Sequence, residues 1–171
     1  MDISKSHLKV KIVKGKGEAR TPLSAFDAAL KDAGVFNYNL IVLSSIIPPG
    51  SSVEKIAKYE SPEAEYGHRL YVVLAEERSS ETGKFIAAGI GWYLFKNGKG
   101  IFVEHHLTGD TEVAVESEIK FRIEESIKDM CEFRDIEFNK DKMNMETSIT
   151  QVQNHPASVL VIAVYLSEVW K

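Results

Sequence analysis

The chain has 171 residues, 44% hydrophobic and 27% charged, with a net charge of −4 and one cysteine. This suits a single domain, residues 1–171, long enough to bury a core, and offers no basic surface for nucleic acid or an anionic membrane. The opening MDISKSHLKVKIVKGKG has no apolar signal-peptide core, and the longest apolar runs, residues 85–95 and 159–166, are too short to cross a bilayer as helices.

Residues 7–13 alternate Leu8, Val10 and Ile12 against Lys9 and Lys11, which predicts a half-buried strand. Residues 15–20 are rich in Gly and Lys but lack phosphate-loop spacing, so they read as a solvated turn. Thr21 is a good N-cap and Pro22 suits the first helical position. Leu23, Phe26, Leu30 and Ala33 then trace an apolar helix face that Gly34 ends. Asp27 falls on or beside that stripe, where a carboxylate either finds a partner or reaches water.

A second strand is expected at residues 38–43, ending at Ser44-Ser45. Residues 48–67 show no period and read as an extended loop. Residues 70–76 form a strand, 79–83 a turn, and 85–95 a long apolar strand. Gly89 and Gly91 in that strand suggest a bend, a bulge or a close backbone approach. Asn97-Gly98 marks a hairpin turn, and residues 100–105 return. The longest helix runs from Thr111 to about Arg134, with Val115, Ile119, Ile123, Ile127 and Met130 inward. Cys131, late in that helix, reads as a packed core thiol and fits a reducing cytoplasm. Residues 143–152 form a strand, 154–156 a turn, and 157–166 an apolar strand buried on both sides. The order β-α-β, loop, β-β-β, α, β-β predicts an α+β fold, sheet packed on sheet with helices outside.

Three Ser-Ser pairs occur, at 44–45, 51–52 and 79–80. Only the first follows a buried-strand pattern, and it alone precedes Ile46-Ile47 and the stiff Pro48-Pro49. A hydroxyl held against its own preceding carbonyl can attack it, cutting the chain and converting a serine to a pyruvoyl group. On the residues alone, a strand end followed by a turn is the simpler account of Ser44-Ser45. Glu104 reads most simply as a strand-end carboxylate, and Asn39 as an ordinary strand-start residue. His105 and His106 beside Glu104 lack a separated third ligand and make no recognisable metal site.

Gly17-Glu18, TPLSAFDAAL at 21–30 and NLIVLSSIIPPG at 39–50 resemble the signature blocks of the pyruvoyl-dependent arginine decarboxylases. GIFVEH at 100–105 resembles a third block, and the terminal AVYLSEVWK is similar to the family's aromatic-ended tail. Residues 51–68 carry nothing across. The resemblance implies a mainly antiparallel α/β/β/α sandwich, as in the pyruvoyl-dependent histidine and arginine decarboxylases. It also implies cleavage between Ser44 and Ser45 into chains 1–44 and 45–171, with a covalent pyruvoyl group derived from Ser45 as cofactor. Arginine would form a Schiff base with that group and lose carbon dioxide to give agmatine. By the same resemblance Asn39 lies near the scissile bond, where its amide suits an oxyanion, and Glu104 is the proton donor. Asp27 is the guanidinium acceptor, flanked by Leu23 and Leu30 along the substrate's aliphatic part. A trimer or dimer of trimers is implied, with sites between neighbours. A pyruvoyl decarboxylase of another amino acid, and an uncleaved binding or structural homologue, remain as alternatives.

Overall fold

A computed structural model describes residues 7–171. The first six residues of the stretch read as lacking a signal-peptide core lie outside them. The described chain forms nine strands and two α-helices. In order these are β1 (Lys9–Glu18), α1 (Pro22–Ala33), β2 (Asn39–Val42), β3 (Ile46–Ile47), β4 (Ser52–Lys55), β5 (Arg69–Ser79), β6 (Phe85–Leu94), β7 (Gly100–Gly109), α2 (Glu112–Glu132), β8 (Met143–Gln151) and β9 (Ala157–Glu168). One mixed sheet has the order β2-β5-β9-β1-β4, and an antiparallel sheet has the order β3-β7-β6-β8. The parallel pairs are β1 with β4 and β2 with β5. The fold is α+β, as the element order implied.

Three apolar clusters hold these elements. The first mixes both sheets: Val10, Ile12, Val73, Val161 and Ala163 meet Ile86, Ile90, Trp92 and Phe102. In the second, Ala29, Leu30 and Ala33 of α1 pack on Val13, Leu70, Val72, Leu160 and Ile162. The third seats Val115, Ile119, Ile123, Ile127 and Cys131 of α2 against Ala87, Tyr93, Ile101 and Val103. Each fully buried isoleucine contributes about 1.5–3 kcal/mol of apolar transfer. β9 is buried continuously from Ala157 to Tyr165, lying in the middle of its sheet with neighbours on both faces.

The structure corrects several sequence expectations. The expected turn at 15–20 is mostly β1, whose glycines serve packing rather than turning. A Cβ on Gly15 would sit 2.2 Å from the Ala29 carbonyl oxygen, and one on Gly17 2.5 Å from the Ala29 nitrogen. Without side chains there, α1 lies directly on the sheet. Only Leu30 and Ala33 of the expected α1 stripe are buried; Phe26 is half-buried and Leu23 is 70% exposed. The true buried set adds Ala25 and Ala29, small residues that periodicity of large side chains does not reveal. Asp27 is accordingly exposed, off the buried stripe.

The expected loop at 48–67 contains β4, which borrows its partner from β1 and so needs no apolar alternation of its own. β3 is likewise too short to leave a period. Gly89 and Gly91 mark close approach, since β6 keeps unbroken register with β7 and β8 across them. A Cβ on Gly91 would lie 2.2 Å from Ile123 Cγ2. The Asn97-Gly98 turn stands as expected, with φ of 65° and 71°. Thr111 caps α2 by accepting from the Ala114 N–H at 3.2 Å. Neither helix is long and apolar enough to cross a membrane.

Candidate active site

β2 ends at Val42 and β3 begins at Ile46, so three residues carry the chain from one sheet to the other. Their ends are pinned. The Leu43 N–H donates to the Val72 carbonyl at 2.8 Å, and the Phe102 N–H donates to the Ser45 carbonyl at 2.9 Å. Between these anchors Ser45 takes φ = 69°. The other described non-glycine residues with positive φ are Asn97 and Asp135, types that tolerate the left-handed region through their short polar side chains. Serine has less of that tolerance, and such a conformation stores about 1–3 kcal/mol that the surroundings must offset.

The strained turn aims the Ser45 hydroxyl at a carboxyl group. Ser45 Oγ donates to Glu104 Oε1 at 2.5 Å. Glu104 shares a strand face with Phe102, whose ring is wholly buried between the sheets. Burial therefore pushes the Glu104 carboxyl above its ordinary value, and the Ser45 hydrogen bond opposes that shift only in part. A carboxylic acid held protonated to higher pH than usual is suited to giving up a proton. Tyr165, on β9, completes the surroundings. Its ring meets Phe102 edge-on at 6.1 Å, and its hydroxyl donates to the Ile46 carbonyl at 2.9 Å. Burial, and then the nearby Glu104 charge, push its phenol above the ordinary value, so it stays a donor. A concavity of 520 Å³ lined by Leu43, Tyr71, Tyr165, Leu166 and Glu168 opens beside this turn.

Thus Ser45 and Glu104, 59 residues apart, are brought together. Ser44 precedes them, exposed. The remaining expected site residues lie elsewhere in the chain. Asn39 is exposed, and its amide donates to the Gly67 carbonyl at 2.7 Å, an oxygen that also accepts from Trp170 Nε1. Leu30 is buried in the α1 cluster, while Asp27 and Leu23 are exposed on the same helix. That helix covers the five-stranded sheet, whereas Glu104 stands on the other. The histidines diverge: His105 Nε2 meets Ser126 Oγ at 2.8 Å, and His106 Nδ1 meets Glu77 at 2.9 Å. Among the described residues no three His, Cys, Asp or Glu side chains cluster as metal ligands.

Two features escaped the sequence reading. Tyr165 carries the one side-chain hydroxyl in the apolar run Val159 to Tyr165, and a buried hydroxyl needs a partner; that was the available signal. The Phe102 N–H left none.

Residues 9–169 match the sequence profile of the pyruvoyl-dependent arginine decarboxylases. The chain belongs to this family. A pyruvoyl-dependent arginine decarboxylase from Halobacterium salinarum is 30% identical over 156 residues, covering 91% of this chain and 92% of that one. Enzymes of the same description from Thermoplasma volcanium and Methanococcoides burtonii are 40% and 36% identical over 104 residues. Those two matches take in 58% and 59% of this chain, and it spans only 55% and 57% of their lengths. The family depends on a pyruvoyl group. The residues here fit one: a serine hydroxyl at a strained junction, a carboxyl group against it, and a backbone donor on the Ser45 carbonyl.

Proposed function

We propose that this chain cuts itself between Ser44 and Ser45 and then decarboxylates L-arginine to agmatine. The observation that carries the reading is the Ser45 hydroxyl, 2.5 Å from Glu104, in a left-handed turn anchored on both sides. Ser45 Oγ attacks the Ser44 carbonyl carbon. The C–N bond breaks, the nitrogen takes up the hydroxyl proton, and an ester joins Ser44 to the Ser45 side chain. Loss of the Ser45 α-proton expels the Ser44 carboxylate and leaves dehydroalanine at position 45. One water then replaces nitrogen by oxygen, and ammonia leaves. The products are chains 1–44 and 45–171.

The pyruvoyl group so formed supplies a ketone conjugated with an amide, which is electrophilic toward a primary amine and accepts electrons when carbon dioxide departs. Around it, the chain's own residues bind and move protons. Glu104 delivers a proton to the carbon that lost carbon dioxide, a role its raised pKa supports. Asn39 lies at the start of the strand that leads to the scissile bond and offers its amide to developing oxyanion charge. Asp27 accepts the guanidinium, whose planar fork of donors matches a carboxylate. Leu23 and Leu30 flank the substrate's methylenes.

Within one protomer Asp27 and Glu104 belong to different sheet layers, so the reading requires a neighbour to bring them together. Leu23, Val42, Ile46 and Leu166 are 47–70% exposed, apolar surface suited to such contacts. The assembly we infer is a trimer, or a dimer of trimers, of layered α/β/β/α sandwiches with sites between protomers. The three apolar clusters support that layering. Cys131, buried and unpaired, suits a cytoplasmic location.

Carbon dioxide release from a panel of amino acids tests the substrate. Arginine should be consumed far faster than lysine, ornithine or histidine. Equal rates would remove Asp27 as the selecting residue, and no release from any of them would refute the activity.

A further inference from the structure

Resting on the self-processing reading, we propose that Tyr165 is a positioning residue for the cleavage. Its hydroxyl holds the Ile46 carbonyl and thereby keeps Ser45 in the left-handed turn that sets its hydroxyl on Glu104.

Rotating Ser45 out of the left-handed region must swing either the chain before it or the chain after it. The chain before it is fixed by β2 and by the Leu43–Val72 hydrogen bond. The chain after it has a weaker hold, since β3 is two residues long and pairs with β7 only through Ile46–Ile101 and Ile47–Gly100. Two further donors reinforce that hold. One is the Phe102 N–H on the Ser45 carbonyl, and the other is Tyr165 Oη on the Ile46 carbonyl. The tyrosine bond differs in kind, because it ties the strand-start in the four-stranded sheet to β9 at the centre of the five-stranded one.

Tyr165 is rigid enough to do this. The residue is 9% exposed, its ring is packed on Phe102, and β9 is buried throughout its approach. The hydroxyl is held above its ordinary pKa, so it donates across the pH range in which a protein stays folded. Ile46 itself is 53% exposed and the Tyr165 ring stays in place when its hydroxyl is removed, so losing the hydroxyl alone loosens the turn without opening the core. Attack by Ser45 Oγ depends steeply on its approach to the Ser44 carbonyl, and a misplacement of about 1 Å costs such a reaction on the order of a hundredfold.

The test follows self-cleavage of the full chain by intact mass after fresh synthesis. Tyr165→Phe keeps the ring and loses only the donor, so fragments should appear roughly ten- to hundredfold more slowly than in the unaltered chain. Placing 4-aminophenylalanine at position 165 returns an N–H donor at the same point and should recover most of the rate, which a packing role alone does not explain. Equal cleavage rates for Tyr165→Phe and the unaltered chain overturn the proposal. So does a slow 4-aminophenylalanine chain that folds normally. If Tyr165→Phe fails to fold, the 4-aminophenylalanine chain decides: near-normal cleavage supports the donor role, and slow cleavage overturns it. An unaltered chain that never cuts itself refutes the underlying self-processing reading instead, so the two failures are distinguishable.

Discussion

The backbone at residue 45 makes a prediction whose sign is opposite to the usual one. Ser45→Gly and Ser45→Ala both remove the hydroxyl, so both chains stay uncut and are covalently comparable. At an ordinary negative φ, alanine is the more stabilising of the two by about 0.4–1 kcal/mol, because glycine has more freedom to lose on folding. At φ = 69° alanine instead carries a left-handed cost of about 1–2 kcal/mol that glycine escapes. Taking one from the other, Ser45→Gly should be more stable than Ser45→Ala by about 1 kcal/mol. For a chain of this size that is a difference of roughly 2–4 °C in Tm. Urea or thermal unfolding at matched protein concentration reads it directly, the matching being necessary if the chain associates. An alanine chain as stable as the glycine chain, or more so, would refute the strained turn. It would also remove the geometric basis for self-cleavage at this serine pair.

Other expectations follow from the same geometry. Glu104→Gln keeps an oxygen that can accept from Ser45 Oγ, so the chain should still cut itself, while turnover falls about 10²–10⁴-fold; an unchanged rate removes Glu104 as proton donor. Because burial raises the Glu104 pKa, its protonated form persists above the ordinary 4.5 and is lost as pH rises through the raised value. The turnover of the unaltered enzyme should therefore descend on the alkaline side of that value, and the limb should vanish in Glu104→Gln. Asp27→Asn should raise the KM for arginine roughly ten- to a hundredfold, the worth of a charged hydrogen bond, and leave self-cleavage alone; an unchanged KM counts against its role. Gly91→Ala forces a Cβ into Ile123 Cγ2 at 2.2 Å and should cost about 1–3 kcal/mol by overpacking, read as a lower Tm.

How much of this was legible depended on whether a residue's neighbours were close in sequence. The long elements were readable: α2 declares itself through Val115, Ile119, Ile123 and Ile127, and β9 through its unbroken apolar run. β4 and the second half of β1 were not. Their strand character comes from distant partners, and the glycines that suggested a turn at 15–17 answer to α1, packed against them. At the site, the serine pair stood out by its apolar approach and double proline, and the resemblance singled out Glu104. Their contact crosses 59 residues and had no local signature. Tyr165 was hidden for a related reason. Its partner is a backbone carbonyl, and no residue type at position 46 announces it. Asp27 shows the limit of periodicity in the other direction, since spacing from Leu23 and Leu30 placed it near a buried stripe that in fact runs through Ala25, Ala29, Leu30 and Ala33.

The central claim is that Ser45 does not remain a serine, and intact mass of the unaltered chain under denaturing conditions tests it most directly. The account predicts two chains, residues 1–44 and 45–171, the larger one lighter by one ammonia than simple hydrolysis would leave it and carrying a ketone that reacts with a hydrazide. A single intact chain of 171 residues after prolonged incubation, or two fragments with an ordinary N-terminal serine on the larger, would contradict it.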